Sequence, residues 1–439
     1  MKNEKNHEHR RDFLKATALL TGGVLLNQFA FAAGPSGVND TIKIALIGCG
    51  DRGTGAAFQA LSTNANIKLV AMADAFQDRM DQSHKLLLEK FKEKVDVPAD
   101  RRFIGFDAYQ KAIALADVVL LATPPGFRPM HFEEAVDKGK HVFMEKPVAV
   151  DAPGIRRVLA AAEIAKKKKL NVVVGLQRRY QASYREAMKR IHDGAIGDIV
   201  GGQVYWNSGG VWVKKRLPKQ TEMEYQMRNW YYFNWLCGDH IVEQHVHNID
   251  VANWVKNAYP VSIQGTGSRA WRTGADYGEI YDNHAVELTY ADGAVIYSQC
   301  RHFEGADNRV DETFHGTKGR TYLSGSHKGI LWDASGKEIF NHPTKGNANP
   351  YQTEHDELFA AISKGEYKFS DAERGAKSCL TAIMGRYATY SGQTIKWDEA
   401  LNANNSLFPE KLAWDAKPKL LPNENGLYEI PTPGKTKVI

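Results

Sequence analysis

One apolar run constrains this chain more than any other feature: Ile42-Lys43-Ile44-Ala45-Leu46-Ile47 stops on Gly48-Cys49-Gly50-Asp51-Arg52-Gly53. A short run of this kind, ended by glycines, reads as a buried parallel strand feeding a helix, here predicted over residues 54–61. Each glycine has its own reason: a tight bend at Gly48, close approach of backbone to a pyrophosphate at Gly50, and close helix-to-strand packing at Gly53. A second strand, residues 67–73, delivers Asp74, 21 positions beyond Gly53, where a carboxylate meets the ribose of a dinucleotide. Such a carboxylate accepts two ribose hydroxyls and repels a 2′-phosphate, so NAD is favoured over NADP, with Arg79 the nearby cation that speaks for the latter.

Strand and helix alternate through residue 150. A buried strand leads to Thr123 and Pro124, a helix is predicted over residues 129–138, and a strand over residues 141–144 ends at Glu145 and Lys146. The expected fold class is α/β: an N-terminal Rossmann domain over residues 42–150, then a C-terminal α+β domain over residues 151–400. The second domain begins with an amphipathic helix (151–168) and a strand (170–176). Alternating strands such as 285–290 and 294–298, joined by Ala291-Asp292-Gly293, then predict a large, mostly antiparallel sheet. One covered face leaves the other for a partner subunit, so a homo-oligomer is expected. Later helices are placed at 354–362 and 371–389, and residues 401–439 form a loop-rich tail with Pro409, Pro418, Pro422, Pro431 and Pro433.

His9-Arg10-Arg11-Asp12-Phe13-Leu14-Lys15 is a twin-arginine signal, and the apolar stretch 16–31 is too short and glycine-interrupted for a lasting membrane span. Ala30-Phe31-Ala32 supplies a small-x-small cleavage site, so residues 1–32 are read as a signal peptide. The mature protein is expected in the periplasm, exported folded and without an anchor. Of the net charge of +6, the leader carries two, which leaves about +4, too little to imply nucleic acid. The run Lys166 to Lys169 ends a helix, where cations favour the dipole and stay solvated. Cys49, Cys237, Cys300 and Cys379 have neither metal nor redox spacing, and no disulfide framework is expected.

A second segment carries chemistry: Gly238-Asp239-His240-Ile241-Val242-Glu243-Gln244-His245-Val246-His247-Asn248-Ile249-Asp250-Val251-Ala252-Asn253-Trp254. Read as one helix, it puts His240, Glu243 and His247 on one face and His245 nearly opposite. A carbinol gives up hydride only as its hydroxyl proton is taken, so a base of near-neutral pKa must touch the oxygen and a cation must steady its charge. His247 suits the first task and Lys146 the second, with the roles reversed if a buried lysine has a lowered pKa. His240, Glu243, His245 and His247 are also metal-ligand types, but their spacing is stretched beside a two-histidine i, i+4 grip, and no metal is expected. Tyr205, Trp206, Trp212, Trp230, Tyr231, Tyr232, Phe233 and Trp235, interleaved with Asn207, Arg228 and Asn234, offer rings and amides suited to the flat face and hydroxyl rim of a sugar.

Glu145-Lys146-Pro147, 92 residues past Gly53, resembles the Glu-Lys-Pro signature of the Gfo/Idh/MocA oxidoreductases. Segment 238–254 is similar to the second motif of that family. The resemblance implies Lys146 and His247 as catalytic residues and Glu243 in the acidic position, although aspartate is the usual residue there. Beside Lys146, it implies cofactor contacts from Gly48, Gly50, Asp51, Arg52, Gly53, Asp74, Thr123, Pro124 and Glu145. Residues 177–180 resemble a substrate-side segment of exported members, adding Arg178 and Tyr180 to Trp206, Asn234 and His240 as candidate substrate residues. The activity implied is NAD-dependent hydride transfer at a hydroxyl carbon of a sugar, glycoside or cyclitol. A second reading is a glycosidase that oxidises, eliminates, adds water and re-reduces, similar to glycoside hydrolase family 109, whose motif carries a hydrophobic residue where Lys146 stands. A third is a sugar-binding protein on a redox fold, since fold alone does not establish activity.

Overall fold

The computed structural model describes residues 40–439; the expected twin-arginine signal and cleavage site over residues 1–32 lie outside the described residues. Six parallel strands form the first sheet: β1 (Ile42–Ile47), β2 (Ile67–Asp74), β3 (Arg102–Ile104), β4 (Val118–Leu121), β5 (His141–Met144) and β6 (Val172–Val174), in the order β3-β2-β1-β4-β5-β6. Ile44, Leu46, Val118, Leu120 and Val173 are fully or almost fully buried, as expected of strands covered by helices on both faces. Strand order reverses between β1 and β4. That switch point opens the crevice in which doubly wound sheets bind ligands, and it receives the glycine turn. β6 belongs to this sheet, so the parallel unit runs past residue 150. The helix Ala152–Lys167 is its last crossover, started by Asp151, whose side chain accepts from the Gly154 amide at 2.8 Å.

The helix over Asp51–Leu61 begins three residues earlier than predicted, because Gly50 caps it and Asp51 favours the positive end of its dipole. Lys166 pairs with Glu163 and Glu373, and Lys168 donates to the carbonyls of Val136 and Asp137, so this lysine run is spent on the helix end and its neighbours.

The second sheet has nine strands: β7 (Ile199–Ser208), β8 (Ser262–Ser268), β9 (Asn283–Thr289), β10 (Val295–His302), β11 (Arg309–Gly316), β12 (Gly319–Ser324), β13 (Lys328–Asp333), β14 (Glu338–Asn341) and β15 (Ile395–Lys396). All its pairings are antiparallel except β7 with β10. The buried helix Ala372–Ser391 lies between this sheet and the first unit.

Beyond residue 402 the tail has no regular secondary structure, yet it is packed: Phe408 meets Phe127 and Trp235 edge-on, and Trp414 contacts Phe76 and Phe106. All four cysteines are buried and free. Among the described residues no helix is long and apolar enough to cross a membrane.

Candidate active site

At the switch point lies a cavity of about 510 Å³ lined by Gly48, Gly50, Asp51, Arg52, Gly53, Asp74, Thr123 and Pro124. The glycines divide the work by measurable sterics. A Cβ on Gly53 would stand 1.8 Å from the Gly48 carbonyl oxygen, and one on Gly48, at φ +96°, 2.5 Å from the Thr123 nitrogen. Gly50 differs: nothing lies within 4 Å of its virtual Cβ, so its bare backbone faces open space. Asp74 accepts from the Cys49 and Phe76 amides at 2.6 and 2.8 Å, and burial raises its pKa. With its oxygens held by backbone, the carboxylate faces the cavity at the place a ribose diol requires. These features fit a dinucleotide. Arg79 also lines the cavity.

Arg52 connects cofactor cavity to chemistry. Its Nε donates to Glu145 at 2.6 Å, so the glycine turn is tied to the end of β5, one residue before Lys146. Glu145 itself does not line the cavity; its carboxylate is engaged by Arg52. Lys146 Nζ donates to the Glu243 carboxylate at 2.9 Å and to the Glu243 carbonyl oxygen. Both side chains are 11% exposed, which leaves one edge of the pair accessible.

His247 completes the group. Its ring stacks on Trp206 (centroids 5.8 Å apart, planes at 25°), and its Nδ1 is buried with no hydrogen-bond partner. Burial, then the adjacent Lys146 and Arg178 cations, hold its pKa well below the ordinary histidine value. His247 is therefore neutral at pH 7 and can accept a proton, but burial makes it a weaker base than the near-neutral group expected from the sequence. Arg178 lies over Trp206 at 5.7 Å and is paired with buried Glu312, whose pKa burial lifts to about 7. Lys146, Glu243, His247, Trp206 and Arg178 thus gather at one place.

The other candidate substrate residues do not. Segment 238–254 is not one helix: His240–Glu243 forms a single turn, then Gln244 and His245 both donate to the His240 carbonyl at 2.9 and 3.0 Å, and a new helix runs over Val246–Lys256. The wide turn breaks the common face, and His240 is drawn instead onto Asp239, with Nδ1 2.9 Å from its carboxylate. Tyr180 leaves the short turn Gln177–Tyr180 on a different side from Arg178, donates to Asp371 at 2.9 Å and packs near Phe369. Asn234 donates to the Tyr390 hydroxyl at 3.2 Å and is buried. These three are core residues.

Trp212 and Trp230 line the cofactor cavity, with Phe76, Phe106 and Arg228. Arg228 makes a two-bond ion pair with Asp78 at 2.7 and 2.8 Å, pinning this part of the second domain over the first. The aromatic stretch was legible as a binding element, but nothing in its local pattern told cofactor from sugar.

Two models of one family match the chain, "Oxidoreductase family, NAD-binding Rossmann fold" over residues 42–176 and "GFO/IDH/MocA C-terminal domain" over residues 184–322. The chain belongs to the Gfo/Idh/MocA family. This member is an oxidoreductase acting on CH–OH groups, and NAD is its cofactor. Inositol 2-dehydrogenase of Rhizobium meliloti (strain 1021) is 26% identical over 332 residues, 74% of this chain and 90% of that protein. A glycosyl hydrolase family 109 protein of Shewanella baltica (strain OS185) is 23% identical over 233 residues, covering 48% of this chain and 49% of its own length. Levoglucosan dehydrogenase, solved in complex with NADH and levoglucosan, shares the fold at a TM-score of 0.63 and 18% identity, covering 81% of this chain and 99% of that one.

Buried neutral histidines in this family member set a pH dependence. Burial lowers the pKa of His131 to about 3 and that of His141 to about 4. Unfolding returns each to roughly 6.5, so below that pH the unfolded chain takes up protons that the folded chain refuses. Stability is full above about pH 6.5 and falls as pH drops, by about 1.4 kcal/mol per unit for each such histidine. The expected result is a urea midpoint that decreases steadily from about pH 7 to about pH 5; a flat midpoint contradicts the assignment.

Proposed function

We propose that this protein transfers a hydride between NAD and a hydroxyl carbon of a sugar, glycoside or cyclitol. The observation that carries the reading is the convergence of Lys146, fixed by Glu243, with neutral His247; none of the three lines the dinucleotide cavity, but Arg52, which does, ties that cavity to Glu145 beside Lys146. NAD, when bound, supplies the hydride-accepting nicotinamide. Lys146 places a cation at the carbinol oxygen, where charge grows as the proton leaves. His247 takes that proton, and Glu243 holds Lys146 in place through its carboxylate and carbonyl oxygens. Trp206 keeps the His247 ring flat and offers an apolar wall to a sugar face.

Export through the twin-arginine route, with the cofactor loaded before exit, is part of the same proposal. The Arg228–Asp78 pair and the Trp212 and Trp230 side chains over the cavity favour a cofactor held through turnover, so oxidation of one group is balanced by reduction of another. Pairing of two chains through the second sheet is proposed as the quaternary state.

A redox glycosidase is the second reading, favoured by the similarity to the Shewanella baltica protein. A glycoside with a chromogenic aglycone separates the two. The dehydrogenase yields a ketosugar with the glycosidic bond intact, and only when an acceptor is supplied. Aglycone release without acceptor, with solvent deuterium placed beside the oxidised carbon and loss of both on His247→Ala, makes the glycosidase reading the correct one.

A further inference from the structure

Asp239 and His240 meet two neighbouring strands in a pocket of fully buried groups apart from the residues assigned above. His284 on β9 and Cys300 on β10 are direct cross-strand partners, so their side chains share one face of the sheet, and His302 lies two residues further along that face. Asp239, His240 and His284 each offer a ligand atom, all within 4.8 Å of one another. Asp239 Oδ1 is 2.9 Å from His240 Nδ1 and 3.2 Å from His284 Nε2. Cys300, buried beside His284, makes no hydrogen bond to His240 Nε2.

Hydrogen bonding leaves this cluster incomplete. His240 Nε2, His284 Nε2 and His302 Nε2 are all buried without a hydrogen-bond partner, and His284 Nε2 faces the carboxylate oxygen without the alignment a hydrogen bond requires. Yet the outer atoms are firmly held. His284 Nδ1 lies 2.9 Å from Thr389 Oγ1, and Asp239 Oδ2 accepts from the Tyr281 amide at 2.9 Å and the Tyr390 hydroxyl at 2.5 Å. Such outer contacts orient ligands, while on the inner side Asp239 Oδ1, which also accepts from the His240 amide at 2.5 Å, stands 3.2 Å from His284 Nε2.

We infer that Asp239, His240 and His284 form a structural zinc site. Adjacent ligand atoms around tetrahedral zinc stand about 3.3 Å apart for bonds of about 2.0–2.1 Å, close to the separations on Asp239 Oδ1. One carboxylate beside two imidazoles suits a borderline-soft ion and disfavours calcium or magnesium, which take oxygen ligands. The full burial of these three ligands makes the ion structural and puts its uptake at folding. It pins the turn that leads into Glu243 and His247, and it stands whether or not the substrate is a sugar.

The test is metal analysis of the mature, full-length protein purified from zinc-supplemented cells. About one zinc per chain is expected, with the content of His284→Gln reduced at least ~10-fold, the scale found when a metal site loses a supporting group. Refolding with cobalt in place of zinc should give the visible bands of a tetrahedral site. Cys300→Ser, which leaves all three ligands in place, should stay folded and keep both its zinc and the cobalt bands. A folded wild-type chain that holds no zinc and develops no cobalt bands overturns the assignment, as does zinc retained in full by His284→Gln.

Discussion

His247→Ala is expected to lower kcat by at least ~100-fold, the scale for losing a positioned acid-base group, while NAD stays bound. The neutral imidazole is a proton acceptor that no neighbour replaces: Lys146 is occupied by two Glu243 oxygens, and Trp206 offers only a ring face. Lys146→Ala should fall by a similar factor, because the oxygen loses the cation that steadies it. It should also destabilise the fold, since Glu243 is then a largely buried carboxylate without its partner. Glu243→Gln should cost less in kcat than either, as an amide oxygen still accepts from Lys146. Steady-state rates beside cofactor content measured by mass separate these effects. A His247→Ala protein with near-native turnover refutes the assignment.

Gly50→Val and Gly53→Ala are expected to fail in opposite ways. At Gly50 the backbone is at φ −71°, open to any L residue, and the side chain enters empty space, so the apo fold should melt as the wild type does. That same side chain stands where a pyrophosphate must approach the backbone. Overpacking of roughly 1–3 kcal/mol corresponds to a loss in NAD affinity of about 5- to 150-fold. At Gly53 a single methyl carbon meets the Gly48 carbonyl at 1.8 Å, so the loop itself must move and the protein should lose stability before any ligand is added. Calorimetric titration beside thermal melting reads both. Equal NAD affinity in Gly50→Val and wild type removes Gly50 from the phosphate site.

The first domain was legible because its signals are local. An apolar run covered on both faces, a glycine turn and a carboxylate at fixed spacing are all dictated by neighbours in sequence, and Asp74, Gly48 and Gly53 stand where that reading put them. Lys146 and His247 were legible as types and as motif positions. The fate of His240 was not, because it is set by Asp239 at φ +74° and by His284 on a distant strand, neither of which helical periodicity can register. Tyr180 shows the same limit: a short turn sends Arg178 to Glu312 and Tyr180 to Asp371, and sequence adjacency does not reveal the divergence. Trp212 and Trp230 were read among rings suited to a sugar face, and only the fold over the nucleotide domain, tied by Arg228 and Asp78, puts them at the cofactor cavity.

The most direct measurement is a single turnover of the NAD-loaded protein with cyclitols and aldoses carrying deuterium at each carbinol carbon in turn. Deuterium recovered on the nicotinamide from one carbon of one substrate, with a slowed near-ultraviolet rise of the reduced ring and no transfer in His247→Ala, is the expected result. A nicotinamide that stays oxidised and unlabelled with every member of the panel contradicts hydride transfer at a sugar or cyclitol carbon.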